Sequence, residues 1–192
     1  RETCAKKNKP LWMTETDWSN TAGENAGEMG PALWLCEKII EDMNTITPSA
    51  WVIWQIVAAY ISRVPDSKGR LDMPDIPDLT KGFWGTAFAD IDKEEIYLTQ
   101  KYYAFGQLSR YIRPGYRILA TTEKGMLAAY SDEEKKLVIV AVNVEETEVE
   151  VGFSLEGFQY DGGMAQVIRT SQSENWAALP LIPVQQDMQA HT

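Results

Sequence analysis

The sequence predicts an α/β unit followed by an all-β part, on three observations. Two continuous apolar runs, 11–13 and 49–57, flank a segment of helical period at 29–43, and beyond residue 115 the apolar period becomes alternating. Continuous apolar runs suit strands buried on both faces of a parallel sheet, whereas alternation suits antiparallel strands with one wet face. The chain has 192 residues, 44% of them apolar, enough for one or two domains with a real core.

Residues 1–8 are polar and basic and read as the end of a helix. The start at Arg1 reads as an internal cut, so the lack of a signal peptide says nothing about destination. Leu11-Trp12-Met13 reads as a buried parallel strand, with Pro10 tolerated at its beginning. Glu15 falls at the carboxyl end of that strand, where barrels and open α/β sheets display catalytic side chains. Trp12 and Trp18 flank Glu15 and Asp17, and an acid framed by indole rings suits sugar chemistry. Capping of the next helix, or pairing with a lysine, accounts for Glu15 equally well.

Residues 16–28 have a loop composition, and the helix 29–43 follows, with Met29, Leu33, Cys36, Ile40 and Met43 on one face and Glu37, Lys38, Glu41 and Asp42 on the other. A turn at 44–48 leads into 49–57, too short for a helix and rich in β-branched and aromatic residues, hence a second buried parallel strand. Strand, helix and strand make a right-handed βαβ unit. The stretch 58–94 reads as a long irregular connection, of the kind that is functional or mobile, and it holds Phe83 and Trp84.

A second helix is predicted over 95–112, with Leu98, Tyr102, Phe105, Ser109 and Ile112 on one face and Arg113-Pro114-Gly115 as its stop. Strands are then predicted at 116–121, 126–131, 136–143, 147–155, 164–170 and about 182–188. Val149, Val151, Phe153 and Leu155 alternate with polar or small residues, while 137–142 is apolar on both faces and is expected to be central. A β-sandwich follows from this pattern. Gly162-Gly163 belongs in a turn and is no phosphate-cradling loop.

Composition excludes several functions. A net charge of −10 speaks against nucleic acid and anionic membrane surfaces, which call for clustered Lys and Arg. The single histidine, His191, leaves no Ser-His-Asp mechanism and no His-rich metal site, and the two cysteines, Cys4 and Cys36, build no disulfide framework. No stretch reaches the roughly 18 apolar residues of a transmembrane helix, and no cofactor motif is present. Seven Trp and eight Tyr suit pyranose faces as well as they suit a core, so position must decide.

Four stretches carry a resemblance. Leu11-Trp12-Met13-Thr14-Glu15 resembles the nucleophile-bearing strand of glycoside hydrolase family 30, with Thr14 where that family usually has Ser. Ala50-Trp51-Val52-Ile53-Trp54-Gln55 is similar to its last barrel strand, and the segment 101–115 (KYYAFGQLSRYIRPG) to its final barrel helix and exit. The segment 137–143, with Ala128-Ala129-Tyr130 before it, resembles the core of its β-domain.

The resemblance implies a (β/α)8 barrel with a β-sandwich side domain, of which this chain holds the last two β/α units over 1–114 and the sandwich over 115–192. It implies that Glu15 is the nucleophile of a retaining β-glycosidase and that Trp54 and Gln55 line the sugar site, Trp54 as an aromatic wall; barrel core is the alternative for Trp54. Trp12 and Trp51, being mid-strand, are expected to pack. Trp18 and Trp84 are loop candidates for outer subsites, and Asp17 is a further acid near the sugar. Arg63 could read an acidic sugar substituent, although a solvated surface arginine is the plainer reading.

A whole barrel takes about 250 residues, and the family's acid/base, an Asn-Glu pair on an earlier strand, lies outside these. The chain is therefore expected to be incomplete, inactive alone, and partnered by the amino-terminal part of the barrel as well as by an oligo- or polysaccharide. The endo-β-1,6-galactanase-like branch is the favoured likeness, with a secreted or periplasmic location. The competing readings are a non-catalytic carbohydrate-binding or adhesion module, and a structural half that assembles with a separately encoded one.

Overall fold

The computed structural model describes residues 1–16, 27–58, 85–90, 94–154, 162–184 and 187–191. A short helix α1 (Glu2–Lys6) precedes strand β1 (Trp12–Met13), helix α2 (Met29–Thr45) and strand β2 (Ala50–Trp51). β1 and β2 pair in parallel, Trp12 opposite Ala50 and Met13 opposite Trp51. The ladder extends one bond each way, from Ser49 N–H to Leu11 O (2.8 Å) and from Val52 N–H to Met13 O (2.9 Å). The predicted strand, helix and strand are thus present.

The run 49–57 is not one strand. After Val52 its carbonyls change partner: Gln55 O and Ile56 O accept from Thr86 N–H and Ala87 N–H instead of continuing along β1. Strand character resumes at β3 (Val57–Ala58), which pairs in parallel with β4 (Ala87–Asp90). β4 in turn pairs antiparallel with β5 (Glu95–Leu98), where the predicted helix 95–112 was to begin. Thr99 then leads into helix α3 (Gln100–Ser109). Both corrections have one cause: 95–98 is claimed by β4, a partner that lies inside the stretch 58–94 expected to be irregular. The Phe88 and Tyr97 rings, stacked 5.2 Å apart, face each other across that pair.

The buried faces also differ from those predicted. On α3, Lys101, Ala104 and Leu108 are buried, while Tyr102, Phe105, Ser109 and Ile112 are half-buried. On α2 the core side is centred on Leu35, Cys36, Ile39 and Ile40, and Asp42, expected on the polar face, is buried with it. Asp42 goes inside because it is paired there: Trp51 Nε1 donates to its Oδ2 (3.0 Å) and Lys38 Nζ to its Oδ1 (2.8 Å).

Strands β6 (Arg117–Leu119), β7 (Met126–Ser131) and β8 (Lys136–Ala141) form an antiparallel sheet in the order β6-β7-β8. β7, not the more apolar β8, is central. Three of its residues are small, and Leu127, Ala128 and Ala129 are buried. The remaining strands are β9 (Glu150–Ser154), β10 (Met164–Ala165), β11 (Ile168–Arg169), β12 (Ala177–Ala178), β13 (Ile182–Pro183) and β14 (Asp187–His191).

These pair antiparallel as β9 with β14, β10 with β13, and β11 with β12. The predicted strand 164–170 is therefore broken at 166–167, where the chain passes from one partner to the other. The predicted strand near 182–188 is divided in the same way between β13 and β14. In β9, Val151 and Phe153 are half-buried and alternate with exposed neighbours, as their sequence period predicts.

Leu127 of β7 and Val140 of β8 share one apolar cluster with Leu35, Ile39 and Ile40 of α2 and with Ala104 and Leu108 of α3. That cluster fixes α2 between the parallel pair and the antiparallel sheet, and Asn44 Nδ2 adds a bond to Met126 O (2.8 Å). Cys4 and Cys36 are both free thiols. Among the described residues no helix is long and apolar enough to cross a membrane.

Candidate active site

Glu15 lies two residues beyond β1 and is exposed. Because β1 and β2 run parallel with Met13 opposite Trp51, the residues that follow them leave at the same end of the pair: Glu15 from one strand, Trp54 and Gln55 from its neighbour. Trp54 is 64% exposed and Gln55 half-buried. Asp17, Trp18, Trp84 and Arg63 lie outside the described residues.

Exposure alternates along 51–56. Trp51, Ile53 and Gln55 are half-buried, with Trp51 and Ile53 packed on the α2/α3 core, whereas Val52, Trp54 and Ile56 are exposed. A strand-like period of two therefore continues past the last β2 pair and divides the segment between two faces. Trp12, opposite Ala50, joins the exposed side at 60%, so the expectation that it packs is corrected. Trp12 is thus open where Trp51 and Ile53 pack on the helices. The result is an open apolar face formed by Trp12, Val52, Trp54 and Ile56, with Glu15 beyond its carboxyl end.

Two anchors hold the β2 side of this site, and periodicity revealed neither. Asp42 ties the Trp51 indole to α2, and its carboxylate, as hydrogen-bond partner, raises the Lys38 ammonium above its ordinary range. Thr86, fully buried, holds the backbone just past Trp54. Only the residues Trp-Val-Ile-Trp-Gln pointed to this edge at all; nothing around Thr86 in sequence marks it.

No family model matches the chain. The endo-β-1,6-galactanase of Hypocrea rufa is 28% identical to it over 136 residues, which is 70% of this chain and 22% of that protein. The glucuronoxylanase XynC of Bacillus subtilis is 29% identical over 172 residues, 87% of this chain and 33% of that protein. Two solved structures share the fold over 100% of this chain and 42% of their own. One is a GH30 endoxylanase from Clostridium papyrosolvens C71 (TM-score 0.67, 21% identity), the other the subfamily 8 xylanase Xyn30A from Clostridium acetobutylicum (TM-score 0.69, 20% identity).

The chain is similar to the carboxy-terminal portion of a family 30 glycoside hydrolase. It spans between about a fifth and a third of the length of these curated relatives. Against the two solved family 30 xylanases the likeness runs through the parallel pair, both long helices and the antiparallel strands alike, since the whole chain is covered.

Proposed function

We propose that this chain is the nucleophile-bearing part of a retaining β-glycoside hydrolase. The observation that supports the reading is the parallel pair β1/β2, which sends Glu15 and the exposed Trp54 out at one end. A carboxylate at a strand terminus beside an indole serves a glycosyl transfer and has no use in a plain binding module. In this reading the Glu15 carboxylate attacks the anomeric carbon while a second carboxylic acid protonates the leaving oxygen. Water, deprotonated by that second group, then releases the sugar from Glu15. The two carboxyls stand about 5 to 5.5 Å apart in such a mechanism.

Residues 1–114 would be the last two β/α units of a (β/α)8 barrel and 115–192 a β-sandwich side domain. The open face of Trp12, Val52, Trp54 and Ile56 would then look into the barrel and be covered by its amino-terminal strands, which would also bring the acid/base. Trp54 and Gln55 would line the sugar, with Asp17, Trp18 and Trp84 as further contacts. The preferred substrate is a β-1,6-galactan, with xylan, β-1,6-glucan and glucosylceramide as alternatives, met in a secreted or periplasmic setting. The likeness to a galactanase and to a glucuronoxylanase supports a plant or microbial polysaccharide of this kind.

The test is Glu15→Gln in the intact natural protein, assayed on those four substrates. Turnover should fall by several orders of magnitude while oligosaccharide binding persists, since the amide keeps the shape and loses the nucleophile. Near-full activity would dismiss Glu15.

A further inference from the structure

We infer that Thr86 is a positioning residue that holds the sugar-binding end of β2 in place through its hydroxyl and backbone. This rests on the glycosidase reading of Trp54 and Gln55. Between Val52 and Gln55 the polypeptide has left β1 and not yet reached β4, which it joins at Ile56, and Trp54, with 64% of its surface exposed, has little packing to fix it. What fixes the backbone there is Thr86. Its N–H donates to Gln55 O (3.1 Å), and its Oγ1 donates to Ile56 O (2.9 Å), which also accepts from Ala87 N–H (2.9 Å). Its own carbonyl accepts from Thr99 N–H (3.2 Å) and Thr99 Oγ1 (2.5 Å).

Every polar group of Thr86 is therefore engaged, at zero exposure, in a line that runs from Gln55 through Thr86 to Thr99 at the start of α3. The line continues into Gln100 N–H, which donates to Gly27 O (3.0 Å). The approach is close enough to dictate the preceding residue: a Cβ on Gly85 would stand 2.6 Å from Ala87 O and 2.8 Å from Ala58 N. The β3-β4-β5 ladder needs only backbone groups, from Val57 and Ala87 onward. The Thr86 hydroxyl adds a second donor, beside Ala87 N–H, to Ile56 O in the segment that follows Trp54. It sets where the Trp54–Gln55 unit stands without itself touching sugar.

The experiment compares Thr86→Val, which keeps the shape and deletes the hydroxyl, with Thr86→Ser, which keeps the hydroxyl, both in the intact natural protein. The probes are β-1,6-galacto-oligosaccharides and glucuronoxylo-oligosaccharides, and amide hydrogen exchange at Ala87 and Thr99 is followed alongside. Thr86→Val should raise KM roughly three- to tenfold with kcat within about twofold, the mark of lost uniform binding, and should speed exchange at Ala87. Thr86→Ser should restore both.

Equal impairment of the two variants would reduce Thr86 to a packing residue, and unchanged exchange with unchanged KM would overturn the inference outright. Full turnover by Glu15→Gln would instead dismiss Glu15 as the nucleophile and leave the role of Thr86 to be judged by its own variants. If the natural protein turned over neither probe, exchange at Ala87, unchanged in Thr86→Val, would still refute the anchor.

Discussion

The indole of Trp176 lies directly on the backbone of Gly106. A Cβ at Gly106 would come within 2.9 Å of its Nε1, 2.7 Å of its Cε2 and closer still to Cζ2. Trp176 Nε1 donates to Tyr103 O (2.7 Å), the Arg110 guanidinium stands 4.1 Å from the ring centroid, and Gln107 Nε2 donates to Thr170 Oγ1 (2.8 Å). The β11/β12 hairpin is thereby docked on α3, and a glycine inside a helix, ordinarily a cost, is what permits the approach.

Gly106→Ala should accordingly destabilise the protein by about 1 to 3 kcal/mol, although alanine is the better helix former by about 1 kcal/mol. Urea titration reads the difference. A more stable variant would mean that the indole moves aside easily.

Asp42→Ala removes the acceptor for both Trp51 and Lys38 in a nearly closed site and should cost about 2 to 4 kcal/mol. Trp51→Phe removes one hydrogen bond and should cost about 1 kcal/mol by that loss. The double variant should fall short of the sum, since both changes break one contact; additivity would deny the coupling.

Burial pushes the Cys36 thiol up to about 12, Glu37 adding to the effect, while Cys36 Sγ lies 3.3 Å from Ala104 O. The unfolded thiol titrates near about 8.5, so the folded state holds its proton longer. The contribution is whole below about pH 8 and is lost as pH rises towards 12, at up to about 1.4 kcal/mol per unit. Comparing urea midpoints of the natural chain and Cys36→Ala at about pH 8 and about pH 10.5 should show a steeper loss for the natural chain. At the lower pH a disulfide reagent should label Cys4 and spare Cys36.

The open face of Trp12, Val52, Trp54 and Ile56 predicts the behaviour of these 192 residues expressed alone. They should self-associate, and Trp12→Gln combined with Ile56→Gln should shift them towards monomer in sedimentation. If, as proposed, the amino-terminal strands supply the wall opposite Glu15 and the general acid, these residues alone should turn over no aryl β-glycoside efficiently, because general acid help is typically worth 10²- to 10⁴-fold and preorganisation more. A monodisperse monomer with efficient, Glu15-dependent turnover would contradict both expectations.

Where an element's own period decides its fate, the sequence was sufficient by itself. The 29–43 helix, the first parallel run with the start of the second, and the alternation around Val151 and Phe153 are local patterns, and each is present in the structure. What required the tertiary structure is everything settled by a distant partner. Residues 95–98 are strand because 87–90 pairs with them, and 49–57 breaks because Thr86 and Ala87 take its carbonyls. Asp42 is buried because Trp51 and Lys38 meet it there, and β7 outranks the more apolar β8 because it lies between two strands. Periodicity reports which face of one segment avoids water; it carries no information on which remote backbone group will satisfy that segment's hydrogen bonds, and that choice places Thr86 beneath the end of β2.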